Sequence, residues 1–399
     1  MYKWPLNVSN VSWFDRLKIC GFFLNPKNFW TQNKNVQEFE WEMAKFVEFK
    51  YAVFTSNGST SNTILAMYLR DKLKKENNKR NIIVLPSTTW NTSCSPWIRE
   101  GFEPYFIDIS LDNFGMDLDR LSQFLKLNHE KVAAIFPTCL LGFNIEYKKL
   151  CILKVMYPKI EIFIDQCENN FGRFDNYSSL VRSFTSTTST YMGHEIQSVE
   201  GGFIFTNDKY EYQQFLIHRN HGMTRSVDNL YKHNDNPFLN PDVDPRFDFY
   251  SLGNNFRNSD IHALIGLLDI KRVYKYIAKR RKLYGFFQSN LNKNRYILPQ
   301  DSLDKNYSVR VPFCLPIICK GENFKERLGK IKDYCEDNLI ETRPIISGFL
   351  GYQTAYKGLM DEQDYPNSVY LHNNGIYVGL HTKLKKKQVL KLVEFLNKV

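Results

Sequence analysis

The chain has 399 residues, 43% of them hydrophobic and 24% charged, a length that supports one large core with a smaller companion. Lys and Arg outnumber Asp and Glu by 53 to 42, giving +11; the basic runs at 279–282 and 385–387 fall on helical patterns without interleaved aromatics, so they read as solvated faces and exclude a nucleic-acid groove. The eight cysteines show no CxxC pair or His-spaced partner, which argues against a zinc site and for buried thiols, and no apolar run reaches about 18 residues, which argues against a membrane helix.

In chain order, the N-terminal MYKWPLNVSN lacks a signal-peptide pattern, so a cytoplasmic protein is expected. VQEFEWEMAKFVEF then places Val36, Phe39, Met43, Phe46 and Val47 on one helical stripe. YAVFTSN reads as a strand entering GSTSN, and TILAMYLRDKLKK as the helix that follows. NIIVLP, PYFIDI, VAAIFPT, IEIFIDQC and GGFIFTND are short apolar runs bounded by polar turns, the pattern of strands covered on both faces. Such alternation implies an α/β domain built on a mostly parallel sheet, spanning 1–260 with the N-terminal segment. From Ser259 a single long helix is expected, followed by strands in SVRVPFCLPII and GIYVGL and helices near 323–337 and 385–398. Residues 261–399 therefore read as a smaller α+β domain joined by that helix.

Three segments carry polar groups that chemistry could use. TSNGSTSN, with Gly58, Ser59 and Thr60, stands between a strand and a helix. There it is either a phosphate cradle of backbone N–H groups and hydroxyls or a turn whose small residues serve packing. Asp165 ends a buried strand in FIDQCENN. It needs a cationic partner, such as a protonated cofactor ring, or several hydrogen bonds, as in a capped turn. STYMGHEIQSVEGG holds Ser189, His194 and Glu200 before a strand, where a histidine serves either structure or proton transfer.

Together and in this order, these segments resemble the DegT/StrS family of sugar-nucleotide enzymes dependent on pyridoxal phosphate (PLP). The resemblance is nearly end to end, through FWTQNKNVQEFEWEMAKFVEFKYAVFTSNGSTSN, LPSTTWNTSCSPWIREGFEPYFIDIS, IFIDQCENNFG, GHEIQSVEGGFIFTND, RNHGMTR, LGNNFRNSDIHALIGLLDI and ETRPIISG. It implies the fold-type-I, aspartate-aminotransferase-like architecture and a homodimer with shared active sites. It also implies roles for individual positions. Gly58, Ser59 and Thr60 resemble the phosphate turn, Ser189 a phosphate-binding serine, and Trp90 the aromatic residue stacked on the pyridine ring. Asp165 resembles the partner of the pyridine nitrogen, and Glu168 the polar group near the ring hydroxyl. Asn255 resembles an asparagine reaching the neighbouring subunit's phosphate, and Arg343 a residue near the sugar nucleotide.

The departure from the family is at residue 194. Family aminotransferases carry a cofactor-binding lysine six residues before the acidic residue of the E/D-G-G motif; here that position is His194, and no lysine occurs between Lys159 and Lys209. Imidazole cannot form the covalent link but can move protons near neutral pH. The substitution resembles the 3-dehydratase branch of the family, in which the aminated cofactor, PMP, is held non-covalently and the histidine is the catalytic base. RNHGMTRSVDN has no cysteine where iron–sulfur relatives bear a cluster, so no cluster and no metal are expected, and His221 in that stretch is a candidate second acid/base. The resemblance thus implies C3 deoxygenation of a nucleotide-diphosphate 4-keto-6-deoxy sugar, with L-glutamate as amino donor. Sugar amino transfer and a catalytically silent binding homologue stand as the alternatives.

Overall fold

A computed structural model describes residues 2–169, 182–230, 236–299 and 311–399. Parts of two segments singled out above, 170–172 and 308–310, lie outside the described residues.

Helices α1 (Trp13–Leu24) and α2 (Lys34–Val47) precede β1 (Tyr51–Thr55). Val36, Phe39 and Met43 of α2 are buried, as their spacing predicts. After β1 come α3 (Gly58–Lys75), β2 (Ile82–Pro86), α4 (Ser95–Arg99), β3 (Glu103–Ile107), α5 (Leu118–Asn128) and β4 (Val132–Ile135). Next are α6 (Tyr147–Met156), β5 (Glu161–Asp165), β6 (Thr185–Ser189), β7 (Gly202–Thr206) and α7 (Lys209–Arg219). These strands form one sheet in the order β1-β7-β6-β5-β4-β2-β3, parallel throughout except that β7 runs antiparallel to both neighbours. The expectation of a mostly parallel sheet between helices is met.

The stretch read as one long helix is two, α8 (Asp260–Ile270) and α9 (Val273–Asn290). Arg272 stands at the junction, held by Asp15 of α1 at 2.7 Å and by Asp269 at 3.4 Å. The C-terminal part adds β8 (Tyr296–Ile297), β9 (Cys314–Cys319), α10 (Phe324–Asp337), β10 (Thr342–Pro344), α11 (Pro366–Asn374), β11 (Gly375–Gly379) and α12 (Lys386–Lys398). Its antiparallel sheet has the order β10-β11-β9-β8. Its core recruits a residue from the other end of the chain: buried Trp4 donates from Nε1 to the Gly379 carbonyl at 2.8 Å.

The 279–282 run departs from the expected solvated face. Arg280 is 4% exposed on α9, with Nη1 3.5 Å from the buried Glu195 carboxylate.

Small residues set the site's dimensions where β7 meets α3. A Cβ on Gly202 would stand 2.3–2.5 Å from backbone atoms of Asn57 and Gly58, at the first turn of α3. Gly202→Ala should therefore cost about 1–3 kcal/mol of stability, visible as a lower thermal midpoint with weakened anion binding at that turn. An unchanged midpoint would show that the turn can shift without penalty.

Candidate active site

A cavity of about 570 Å³ opens where the C-terminal ends of the parallel strands meet the small sheet. The start of α3 lines it through Asn57, Gly58, Ser59 and Asn62. Asn57 caps that helix, its side chain accepting from Thr60 N at 2.9 Å while Thr60 Oγ1 accepts from Asn57 N at 3.1 Å. That reciprocal cap occupies Thr60, which does not line the cavity, whereas Gly58, Ser59 and Ser189 do. A Cβ at Gly58 would lie 3.0 Å from Cys167 Sγ and 3.1 Å from Ser189 Cβ, so glycine leaves the helix's first N–H groups approachable.

Asp165 ends β5 at 3% exposure. Oδ2 accepts from Ser93 Oγ at 2.7 Å and from Asn62 Nδ2 at 3.0 Å, and Oδ1 accepts from Cys167 N at 3.0 Å. Asn62 is itself fixed by Thr187 Oγ1, which donates to it at 2.6 Å. Among the described residues no cationic side chain pairs with this carboxylate, although it lines the cavity. It is therefore a buried carboxyl whose oxygens are fixed by neighbours on three sides and which lines the cavity.

Glu168 also lines the cavity, and its Oε2 accepts from Leu141 N at 2.8 Å. Burial pushes its carboxyl up to about 8, only partly offset by that hydrogen bond. Near neutral pH it is mostly protonated and can donate, as a glutamine would. Because the folded value lies above the ordinary 4.5, the stability this group contributes is full below about 4.5 and is lost as pH rises towards 8. Glu168→Gln should remove that dependence, so the variant's thermal midpoint falls less than the wild type's between pH 5 and 8. Parallel profiles would contradict this assignment.

His194 lines the same cavity, half-buried, its ring against Phe313 at 5.5 Å and Tyr191 at 6.3 Å between centroids. Its Nδ1 is buried, with no hydrogen-bond partner among the described residues. Burial, and then the Arg280 charge, push the imidazole down to about 3, so it is a free base at neutral pH. No lysine lines the cavity among the described residues.

Trp90 lines the cavity while 61% exposed, and Arg343 lies on the small-sheet side, donating to Glu341 Oε1 at 3.0 Å. His221 and Asn255 are not brought to this cavity. They lie in a clip in which Asn220 bridges to Asn255 and His221 N donates to the Asn254 carbonyl at 2.9 Å. His221 has a left-handed backbone, φ 60°, and exposed Phe247, Phe249 and Leu252 belong to the same loop region. Sequence reasoning missed Asn62 and Ser93, which orient Asp165, as well as Leu6, Asn7, Phe313 and Tyr377 on the wall. Asn62 is one helical turn past Gly58 on α3, a spacing that could have drawn notice; Tyr377 and the N-terminal residues arrive by long-range packing and leave no local signal.

The sequence profile of the DegT/DnrJ/EryC1/StrS aminotransferase family matches residues 24–397. The chain is 28% identical over 392 residues to a GDP-4-keto-6-deoxy-D-mannose 3-dehydratase of Escherichia coli O55:H7, covering 96% of each protein. It is 24% identical to the GDP-perosamine synthase of Escherichia coli O157:H7, covering 92% of this chain and 91% of that one. Among solved structures, the E. coli GDP-4-keto-6-deoxy-D-mannose 3-dehydratase with bound hydrated PLP superposes with a TM-score of 0.87 at 25% identity, covering 99% of this chain and all of that one.

Proposed function

This chain belongs to the DegT/DnrJ/EryC1/StrS aminotransferase family, and from that membership we propose that it is a PMP/PLP-dependent 3-dehydratase of a nucleotide-linked 4-keto-6-deoxy sugar. The observation that carries the reading is His194, which lines the cavity and stands six residues before Glu200, the sequence position that resembles the cofactor-binding lysine of family aminotransferases. Similarity to the 3-dehydratase of E. coli O55:H7 over nearly the whole chain supports it.

The residues fit the cofactor. The α3 N-terminus, Gly58, Ser59 and Ser189 offer N–H and hydroxyl groups to a phosphate, and the Asp165 anion has no cationic partner of its own among the described residues. Trp90 offers an aromatic face, and protonated Glu168 a donor for an oxygen on the ring. When bound, the aminated cofactor would supply the electron sink that lets a sugar hydroxyl leave next to a keto carbon.

His194 takes the proton. Its uncharged imidazole has a free lone pair at neutral pH, as a proton acceptor needs. Among the described residues no lysine on the wall offers an amine to compete for the cofactor, which disfavours completed amino transfer to the sugar. L-Glutamate is the proposed source of the amine, and Arg343 the contact to the sugar nucleotide. The +11 charge would steer such a diphosphate inward.

The proposed assembly is a homodimer. The clip carrying His221 and Asn255, outside this protomer's cavity and beside exposed Phe247 and Phe249, would serve the neighbouring one. No helix among the described residues is long and apolar enough to cross a membrane.

The test is product analysis with a GDP-4-keto-6-deoxy sugar, cofactor and L-glutamate. Mass spectrometry should find a product lacking the 3-oxygen. A 4-amino sugar would instead support the second reading, a sugar aminotransferase, which similarity to GDP-perosamine synthase favours. Cofactor and nucleotide bound but never consumed would support a silent homologue.

A further inference from the structure

The chain joins the cavity wall before its first helix, through Leu6 and Asn7. The strap around these two residues is held on both sides. Towards the small sheet, Trp4 Nε1 donates to the Gly379 carbonyl at 2.8 Å, and Leu6 N donates to Glu341 Oε2 at 3.0 Å. The other oxygen of that carboxylate, Oε1, accepts from Arg343 at 3.0 Å. Towards the large domain the anchor is Gln197, 4% exposed in the loop that carries His194 between β6 and β7. Its Nε2 donates to the Val8 carbonyl at 3.0 Å and to the Met192 carbonyl at 2.6 Å, and its Oε1 accepts from Asn10 N at 2.9 Å. Helix α8 fixes the anchor in turn, Asp269 Oδ2 accepting from Gln197 N at 2.9 Å.

Residue 7 thus stands between two pinned neighbours, Leu6 and Val8, while its own side chain makes no hydrogen bond among the described residues. Asn7 is half-buried and lines the cavity. A Cβ on Gly193, the residue before His194, would stand 3.4 Å from Asn7 Nδ2, so the amide lies beside the base. A fixed backbone that presents an uncommitted donor and acceptor to a cavity is prepared for a ligand, because the fold has already ordered the chain that carries them.

We propose that Asn7 is a sugar-contacting residue: its amide hydrogen-bonds a hydroxyl of the hexose ring and helps select which sugar is held against His194. The proposal rests on the reading of the cavity as a sugar-nucleotide site, and it deepens that reading by assigning a contact to the sugar itself. Placement favours the sugar over the rest of the ligand. The strap runs from the carboxylate that holds Arg343, assigned above to the sugar nucleotide, to the loop of His194, where the sugar reacts. The groups assigned above to the cofactor, Gly58, Ser59, Ser189 and Asp165, are on other parts of the wall. Chemistry agrees: a neutral amide both donates and accepts, as a hydroxyl does, whereas a diphosphate offers acceptors alone.

The test is calorimetric titration of the full chain loaded with PLP, with no amine donor present so that the sugar is not consumed. The nucleotide is whichever of GDP, CDP, dTDP and UDP the wild type binds most tightly. Two ligands are then compared, that diphosphate alone and its 4-keto-6-deoxyhexose conjugate. In wild type the sugar should add affinity. N7A should bind the conjugate about three- to tenfold more weakly than wild type, the worth of one neutral hydrogen bond, and bind the bare diphosphate unchanged. N7L keeps the side chain's size without its amide and should show the same selective loss. Three results would overturn the proposal: a wild type that gains nothing from the sugar, an N7A that weakens towards both ligands alike or towards neither, and an N7L with wild-type affinity. The second would make the residue a part of the wall, and the third would make its contact one of shape. The readout needs no turnover, so a product that keeps its 3-oxygen would refute the dehydratase reading and leave this measurement standing.

Discussion

H194N should lose roughly 10²–10⁴-fold in turnover while retaining cofactor and sugar nucleotide, because positioned general-base catalysis is worth about that much. The asparagine roughly matches the imidazole's reach but cannot accept a proton to form a cation. The ring's contacts with Phe313 and Tyr191 are apolar, so binding depends little on it. Equilibrium binding and stopped-flow turnover separate the two effects: loss of both together would show that His194 holds a ligand and does no proton transfer. H194K supplies the missing amine and should bind the cofactor covalently.

Asp165→Asn should be nearly as damaging. A carboxylate and a cationic ring nitrogen at about 4 Å attract by roughly 4 kcal/mol at an effective dielectric near 20, which is about three decades in rate if the whole charge is needed in the transition state. Ser93 Oγ and Asn62 Nδ2 can still donate to an amide oxygen, so the fold should tolerate the change, although the hydrogen bond from Cys167 N is lost. The distinguishing readout is the rise in melting temperature on adding cofactor, which reports binding to the folded state alone. That rise should shrink sharply in the variant. A full rise with full activity would mean that Asp165 merely caps its turn.

Much of this was legible in the residues. The strands β1, β2, β4 and β5 announce themselves as apolar runs, and their alternation with helical stripes points to the parallel sheet. β6 does not: its sequence is TSTTS, buried along its length, and the Thr185 and Thr187 hydroxyls are taken up by Thr206, Glu211 and Asn62, partners that only the folded chain supplies. The break between α8 and α9 was hidden for a similar reason. The periodic pattern runs through it without Pro or Gly, and Arg272 is fixed there by Asp15 from α1.

The candidate site divides the same way. His194, Asp165, Glu168, Gly58 and Ser189 could be singled out from motif spacing and resemblance, and they share one cavity. Arg280 could not, because within a basic run nothing local distinguishes the one cation that turns inward. His221 and Asn255 stand apart from that cavity.

On the proposed reading, this site holds its cofactor without a covalent link and gives the lysine's place to a base. Borohydride treatment of the wild-type protein loaded with PLP, followed by intact mass and peptide mapping, tests it directly. The expected result is unmodified wild-type chain beside an H194K variant carrying one cofactor adduct at residue 194. A stoichiometric adduct on any lysine of the wild type would contradict the claim.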